Sequence, residues 1–415
     1  MISRRDFVKG GVALVSIGTT AQSLLKGAVA FAAQNPAAVN AAANGKILIL
    51  VQMAGGNDGL NTLVPYADPV YRSARPTLAI PEDQALPLAE GFGLHPAMTG
   101  FKGLWDAGKL AVVRGVGYPN QNYSHFKSMA IWQAGDPDLA MYDGWLGRTL
   151  ERLETAQHDP FLGFNIGGST PAEMYSERVS IPSVADPADY GVKVNWKAAP
   201  ETDARTATLM KLYEQYPSVS PYGVLLETTV ETAMSSSRQL AAAAGTYTAA
   251  VTYPQTSFAS GLSVLAEAIV GNLGMRVGHI TLGGFDTHSR QLEDQQELLQ
   301  TLDQGLSAFY ADLAAHGKAD DVLVLTWSEF GRRVQENANE GSDHGAASVC
   351  FALGNGVRQG LYGDAPNLAK LVDNGNVPYT TDFRSVYATV IERWLGTPAD
   401  VLLGQAFPQL GFVAA

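Results

Sequence analysis

Five short runs of mostly apolar residues punctuate the chain: 46–53 (KILILVQM), 110–116 (LAVVRGV), 276–282 (RVGHITL), 321–327 (DVLVLTW) and 348–354 (SVCFALG). None shows a clean apolar–polar alternation, so each reads as a strand buried on both faces, as in a parallel sheet. The intervening stretches at 97–107, 125–134, 143–155, 203–215, 221–243, 257–273, 288–316 and 383–396 place apolar residues at helical spacing. Strand runs separated by helices predict an α/β fold, with a doubly wound, mostly parallel sheet flanked by helices. No internal repeat interrupts this order.

Residues 156–250 break the rhythm. They are Pro-containing and polar at first, then rich in Ala, Ser and Thr without a clear strand pattern. The stretch reads as a helical insertion or cap on a single α/β domain spanning 45–415. Such a segment either shapes access to a site or simply covers the sheet. An Ala/Asn-rich stretch at 33–44 reads as a flexible linker before the first strand.

The first 32 residues carry an address. Ser3, Arg4, Arg5, Asp6, Phe7, Val8 and Lys9 resemble the twin-arginine export pattern, and residues 10–25 are too short and too weakly apolar for a comfortable membrane span. Small residues at Ala28-Val29-Ala30, or at Ala30-Phe31-Ala32, offer cleavage points. The expectation is transit through the twin-arginine translocase to the periplasm or beyond, with no stable membrane insertion after cleavage. An uncleaved anchor and an ordinary secretory leader are the alternatives. Twin-arginine substrates are exported folded, commonly because a metal or cofactor is inserted beforehand.

Composition narrows the partners. The net charge of -12 over 415 residues becomes about -15 once the leader is removed, which argues against nucleic acid. With 46% hydrophobic residues the chain can bury a large core. Cys350 is the only cysteine, so no internal disulfide can form. It lies within an apolar run and reads as a packing residue.

In open α/β sheets ligands bind beyond the carboxyl ends of the strands. Ligand-type residues crowd those ends here. They are Gly55-Gly56-Asn57-Asp58-Gly59, Asn122-Tyr123-Ser124-His125, Gly283-Gly284-Phe285-Asp286-Thr287-His288 and Ser328-Glu329-Phe330-Gly331-Arg332, with Gly341-Ser342-Asp343-His344-Gly345 just before the fifth run. Each fragment alone has an ordinary explanation: an Asp in a Gly-rich turn caps backbone amides, and a charge at a helix start answers the helix dipole. Together, carboxylates and imidazoles from five loops predict one polar centre able to hold a divalent cation.

The segments MAGGNDGLNTLVP, NYSHFKSMAIWQAG, GGFDTH, TWSEFGRR and GSDHG, following that leader, resemble the DUF1501 family of exported bacterial proteins within the alkaline phosphatase/sulfatase superfamily. The resemblance covers nearly all of the chain after the leader. It implies an alkaline-phosphatase-like domain and one or two divalent metals, zinc or manganese. It further implies Asp58, Asp286, His288 and His344 as metal ligands, with Glu329 as a further carboxylate. Ser124 would be the nucleophile and His125 a donor to the anionic transition state, or else a structural helix-start histidine. Arg332 or Arg114 could clamp a substrate oxygen, although Arg332 reads more naturally as a surface or helix-start residue.

One departure stands out. Many superfamily members carry an Asp-His pair where this chain has Glu329-Phe330, and Phe330 cannot bind a metal. One metal could then replace two, or Asp343 or His125 could substitute. No run here fits the formylglycine type of sulfatase. Two function classes therefore remain: a metal-dependent hydrolase or transferase acting on a small anionic substrate, a phosphate, phosphonate or sulfate ester, and a non-catalytic periplasmic binding or assembly protein retaining the fold and at most one metal. A redox role is disfavoured, because the GGNDG turn lacks dinucleotide-binding spacing and no cysteine cluster exists.

Overall fold

A computed structural model describes residues 45–141, 143–154, 159–176, 178–185, 236–373 and 375–414, with Thr208, Lys211 and Ala233 as single positions. The leader, the linker and most of the predicted cap lie outside these residues, as do the helices expected at 203–215 and in the first part of 221–243.

Strand β1 (Ile47–Ala54) runs into the one-turn helix α1 (Gly59–Thr62). The short strands β2 (Leu63–Val64), β3 (Leu86–Ala89) and β4 (Phe92–Leu94) form a small antiparallel sheet in the order β2-β4-β3, with α2 (Pro69–Ala74) between β2 and β3. Helix α3 (Thr99–Asp106) precedes β5 (Leu110–Gly117), and α4 (His125–Ala134) and α5 (Trp145–Leu153) follow it. Next come β6 (Gly163–Ile166), β7 (Ser183–Val184), α6 (Ser257–Val270), β8 (Val277–Gly283), the long helix α7 (Gln291–Ala315) and β9 (Val322–Trp327). A hairpin of β10 (Arg332–Glu336) and β11 (Ser342–His344) leads to β12 (Ser348–Leu353), β13 (Gly360–Tyr362) and β14 (Thr381–Asp382). Helix α8 (Phe383–Thr389), continued by a π-helical turn at Val390–Trp394, and α9 (Ala399–Leu402) close the chain.

Among the described residues the main sheet has nine strands, eight in the order β13-β5-β12-β9-β1-β8-β6-β7, with β14 also pairing with β5. It is parallel except for β12, which runs antiparallel to both β5 and β9. A parallel return would need a crossover long enough to carry the chain back along the sheet. Residues 328–347 instead fold as a hairpin at one sheet end, so β12 re-enters from that end. The sheet is thus mostly parallel, as the pattern of runs predicts, with β12 as the antiparallel member. One difference concerns the predicted insertion, whose early part supplies β6 and β7 to the main sheet. Their brevity, and the polar Asn165 within β6, hide the strand pattern.

Alternation along β1 divides the core. Ile47, Ile49, Val51 and Met53 pack into a cluster with Phe258, Leu262 and Leu265 of α6 and Leu299, Leu302 and Leu306 of α7. Leu48 and Leu50 face the other layer, where Trp132, Trp145, Phe383 and Tyr387 interlock, with Trp145 and Tyr387 stacked at 4.0 Å between ring centroids. The result is a mixed, mostly parallel sheet between helical layers. Truncating a fully buried residue of the central strand, as in Leu50→Ala, should cost about 2–5 kcal/mol.

Register aligns the functional ends. Gln52 of β1 lies opposite Thr281 of β8 and Trp327 of β9. The turns after these three strands therefore emerge level, and β12 begins at the same end.

Candidate metal centre

Backbone contacts draw the strand-end turns together. The Gly55 N–H donates to both oxygens of Glu329, at 3.0 and 3.2 Å. Ser328 Oγ donates to Met53 O at 2.7 Å and accepts from Asn57 N–H at 2.8 Å. The two glycines are required by proximity. A Cβ on Gly55, at φ +124°, would lie 2.4 Å from Asp286 N, and one on Gly56, at φ +75°, would lie 2.2 Å from the Phe330 ring.

His125, the first residue of α4, places Nδ1 2.8 Å from Oε1 of the fully buried Glu329. A carboxylate only accepts hydrogen bonds, so Nδ1 carries the ring proton and Nε2 keeps a lone pair. That Nε2 is buried, makes no hydrogen bond, and lies 3.4 Å from Asp286 Oδ2. His344 sets Nδ1 2.8 Å from Tyr123 O, another pure acceptor, and Nε2 3.1 Å from Asp286 Oδ1, where a cation would take the place of the Nε2 proton. One ligand atom each from His125, Asp286 and His344 fall within 4.8 Å of one another. His288 adjoins the group, with Nε2 3.1 Å from Asp286 Oδ1 and 2.9 Å from His344 Nε2. Nitrogens this close either share a proton or bind one cation.

The donor set fits a divalent metal. Both principal imidazoles are oriented by a partner on the outer nitrogen, Glu329 for His125 and Tyr123 O for His344, the arrangement in which second partners orient metal-ligating histidines. The orphaned Nε2 of His125 is a buried polar atom that a cation would satisfy. Phe330 closes one side with its ring 4.9 Å from His125 and 4.7 Å from His344 between centroids.

Charge is tuned around Asp286. Burial alone would raise its carboxyl, but hydrogen bonds from Arg332 and His344 and nearby positive charge outweigh this and bring it down to about 2. Burial also lowers the His344 ring, against the hydrogen bonds to Tyr123 and Asp286, which favour the proton.

Arg332 departs most from its sequence reading. Instead of a surface position it is 1% exposed. Its Nε donates to Gly56 O at 2.6 Å, Nη1 to Ser342 O at 2.8 Å, and Nη2 to Gly55 O, Phe285 O and Asp286 Oδ1 at 2.5, 2.9 and 2.8 Å. One guanidinium thus fastens the turns after β1 and β8 to the hairpin. Nothing in its sequence context distinguishes it from its neighbour Arg333.

Asp58 stands apart from the group. Its oxygens accept from Arg75 at 2.5 and 3.1 Å, from Gln291 at 2.5 Å and from the Leu60 N–H at 3.1 Å, the last making it the N-cap of α1. Both members of the Asp58–Arg75 pair are fully buried. The carboxylate is spent on these contacts, and Asp58 is not among the His125, Asp286 and His344 atoms that converge. Glu329 touches His125 but has its oxygens taken by Gly55 and the imidazole, so it orients that ring. His125, read as a donor, supplies the inward-facing nitrogen. Asp343 reaches only the outer side of His288, 3.5 Å from Nδ1. Arg114 is held elsewhere by Glu90 at 2.6 Å and Gly363 O.

Ser124 is the exposed N-cap of α4, next to His125, and its hydroxyl makes no capping bond. Its N–H donates to Asn122 Oδ1 at 2.9 Å. Cys350 is buried, and burial pushes its thiol well above the usual range.

Fold and site together define an α/β protein whose carboxyl strand ends gather a His–Asp–His group. The chain belongs to the DUF1501 family, described as protein of unknown function, whose family model matches residues 45–403. No curated protein matches it. Among solved structures it is similar to a sulfatase from Pseudoalteromonas sp., at 10% identity and TM-score 0.40, covering 91% of this chain and 75% of that one. It is also similar to a lipoteichoic acid synthase from Listeria monocytogenes, at 10% identity and TM-score 0.35, covering 86% and 73%. A phosphonate monoester hydrolase from Silicibacter pomeroyi matches at 10% identity and TM-score 0.29, covering 87% and 78%. No helix among the described residues is long and apolar enough to cross a membrane.

Proposed function

We propose that this chain is an exported, metal-dependent hydrolase or transferase of phosphate or sulfate esters, with His125, Asp286 and His344 as ligands, His288 beside them and Ser124 as nucleophile. The observation that carries this reading is the pair of inward-facing Nε2 atoms, each with its ring fixed by a partner on Nδ1, converging on one carboxylate. A divalent cation bound there, zinc or manganese, would supply electrostatic relief for an anionic ester and lower the pKa of a neighbouring hydroxyl. The chain's own residues do the rest. Ser124 offers an unencumbered hydroxyl at the start of a ten-residue helix, where backbone N–H groups favour an anion. Phe126, two residues on and 86% exposed, offers an apolar face to the organic part of a substrate. Export rests on Arg4 and Arg5 in the leader.

The test combines metal analysis with a screen of aryl phosphates, phosphonates and sulfates, using Ser124→Ala as control. The expected result is bound metal in the native protein and turnover lost with Ser124. Metal-free native protein would sink the proposal, and turnover surviving Ser124→Ala would remove Ser124 as nucleophile.

A second reading, a binding or assembly protein with one metal, is favoured by Arg332. Its guanidinium already neutralises Asp286 Oδ1 and stands 3.5 Å from His288 Nε2, opposing a second cation beside the first. Metal without turnover on any ester would select it.

A further inference from the structure

Away from the His–Asp–His group, the loop at 77–84 and the first turns of α7 enclose an open cleft of about 500 Å³. That volume lies in the range of small-ligand sites. Its apolar surface comes from Ile80, Pro81, Pro96 and Leu292, and its polar rim includes Glu293 and Glu297.

His95 contributes to the wall although it is only 2% exposed. Its Nδ1 accepts the Ala97 N–H at 3.1 Å, so the ring proton sits on Nε2, for which the described residues provide no partner. A buried imidazole ordinarily satisfies both nitrogens. Here Nε2 is not sealed within the core but opens at the cleft wall, free to donate to an occupant. Burial also lowers this ring to about 4, against the attraction of Asp58, so the neutral donor form prevails near neutral pH.

The rim carboxylates are likewise unmatched. Neither Glu293 nor Glu297 has a cationic partner among the described residues. Glu293 lies in the first turn of α7, where it answers the helix dipole, but Glu297 lies beyond that turn and has no such role. The cleft therefore presents one inner donor, an apolar floor and an anionic rim. A simple polyamine would leave the donor unmet. An extended peptide meets all three, with a backbone carbonyl for His95, aliphatic side-chain stems for the floor and ammonium or guanidinium groups for the rim.

We infer that the cleft between residues 77–84 and the start of α7 is a second binding site, for a short extended peptide segment rich in lysine or arginine. Its occupant is independent of any ester chemistry at His125.

The test is fluorescence anisotropy with a fluorescein-labelled Ala-Lys-Ala-Lys-Ala peptide and full-length native protein, with Ala-Glu-Ala-Glu-Ala as control. Saturable binding of the lysine peptide alone, weakened at high salt, is expected. The double variant Glu293→Gln/Glu297→Gln should lower affinity about tenfold, since each exposed charge contributes modestly. His95→Phe, which keeps the ring but removes the donor, should weaken binding at low and high salt alike; if that variant misfolds, the glutamine pair still decides. Equal binding of both peptides, no binding at millimolar concentration, or an unchanged affinity in the glutamine pair would overturn the site.

Discussion

Glu329 Oε1 lies 2.8 Å from His125 Nδ1 while its carboxylate also receives the Gly55 N–H, so a fully buried acid fixes which nitrogen of His125 faces Asp286. In the sequence Glu329 reads as a ligand. In the folded protein it orients the His125 ring. The distinction can be measured: Glu329→Gln should keep the fold and lower metal affinity by about 10–100-fold, the usual cost of losing such a partner. His125→Ala, which removes a ligand, should abolish high-affinity binding. Equilibrium dialysis against zinc or manganese checks both, and a Glu329→Gln affinity equal to native would refute the orienting role.

Asp58 gives the opposite kind of prediction. Because it is fully buried against Arg75 and caps α1, Asp58→Asn should leave an uncompensated guanidinium and destabilise by about 3–5 kcal/mol. Metal stoichiometry of the protein that remains folded should be unchanged. Urea denaturation and metal analysis on the same sample separate the two effects; lost metal with unchanged stability would make Asp58 a ligand after all.

The pH dependence of stability has one clear contributor outside the centre. His95 titrates at about 4 in the folded state because burial penalises its charged form, against an ordinary value of 6.5. Between those values the unfolded chain binds a proton that the folded chain refuses, so stability rises with pH across this window. His95 should contribute a loss of about 3 kcal/mol as pH falls from 6.5 to 4. Urea unfolding over that range should show a shallower slope for His95→Phe than for the native chain. Parallel slopes would contradict the assignment.

Phe126 separates stability from substrate contact. At 86% exposure its ring contributes little to the core, so Phe126→Ala should change stability by less than about 0.5 kcal/mol. If the neighbouring Ser124 attacks esters, the same change should raise KM for substrates with an apolar or ring-bearing organic part and spare kcat. A kcat loss with KM unchanged would place the effect in the chemistry.

Gly56→Ala probes how the centre is assembled. The new Cβ would meet the Phe330 ring at 2.2 Å, and the φ of +75° is unfavourable for alanine. Phe330 packs on both His125 and His344, so its displacement should disorder both. Reduced metal occupancy in a variant that retains its far-ultraviolet dichroism is the expected signature, and full occupancy would show that Phe330 is not needed.

Much of this protein was legible before folding. The five apolar runs became strands within a residue or two of their expected ends, because a strand buried on both faces needs an unbroken apolar segment and little else in a chain produces one. The helices at 97–107, 125–134, 143–155, 257–273 and 288–316 formed for the same reason of periodicity. The candidate ligands Asp286, His288 and His344 and the neighbouring Ser124 and His125 were visible as chemistry-bearing residues at strand ends. What linear order could not convey was direction and partnership. The hairpin at 328–347 turns β12 antiparallel and thereby delivers His344, which precedes a strand, to the end where the others follow theirs. Arg75 and Gln291 claim Asp58 across the fold, Arg332 is buried among carbonyls that only the tertiary structure assembles, and Tyr123 and Glu329 orient the rings of two histidines. Local pattern determines which elements form, because propensity and burial act over a few residues. Which polar groups remain free for chemistry is decided by contacts such as that of Arg332 with Gly55, 277 positions apart, and those exist only once the turns have met.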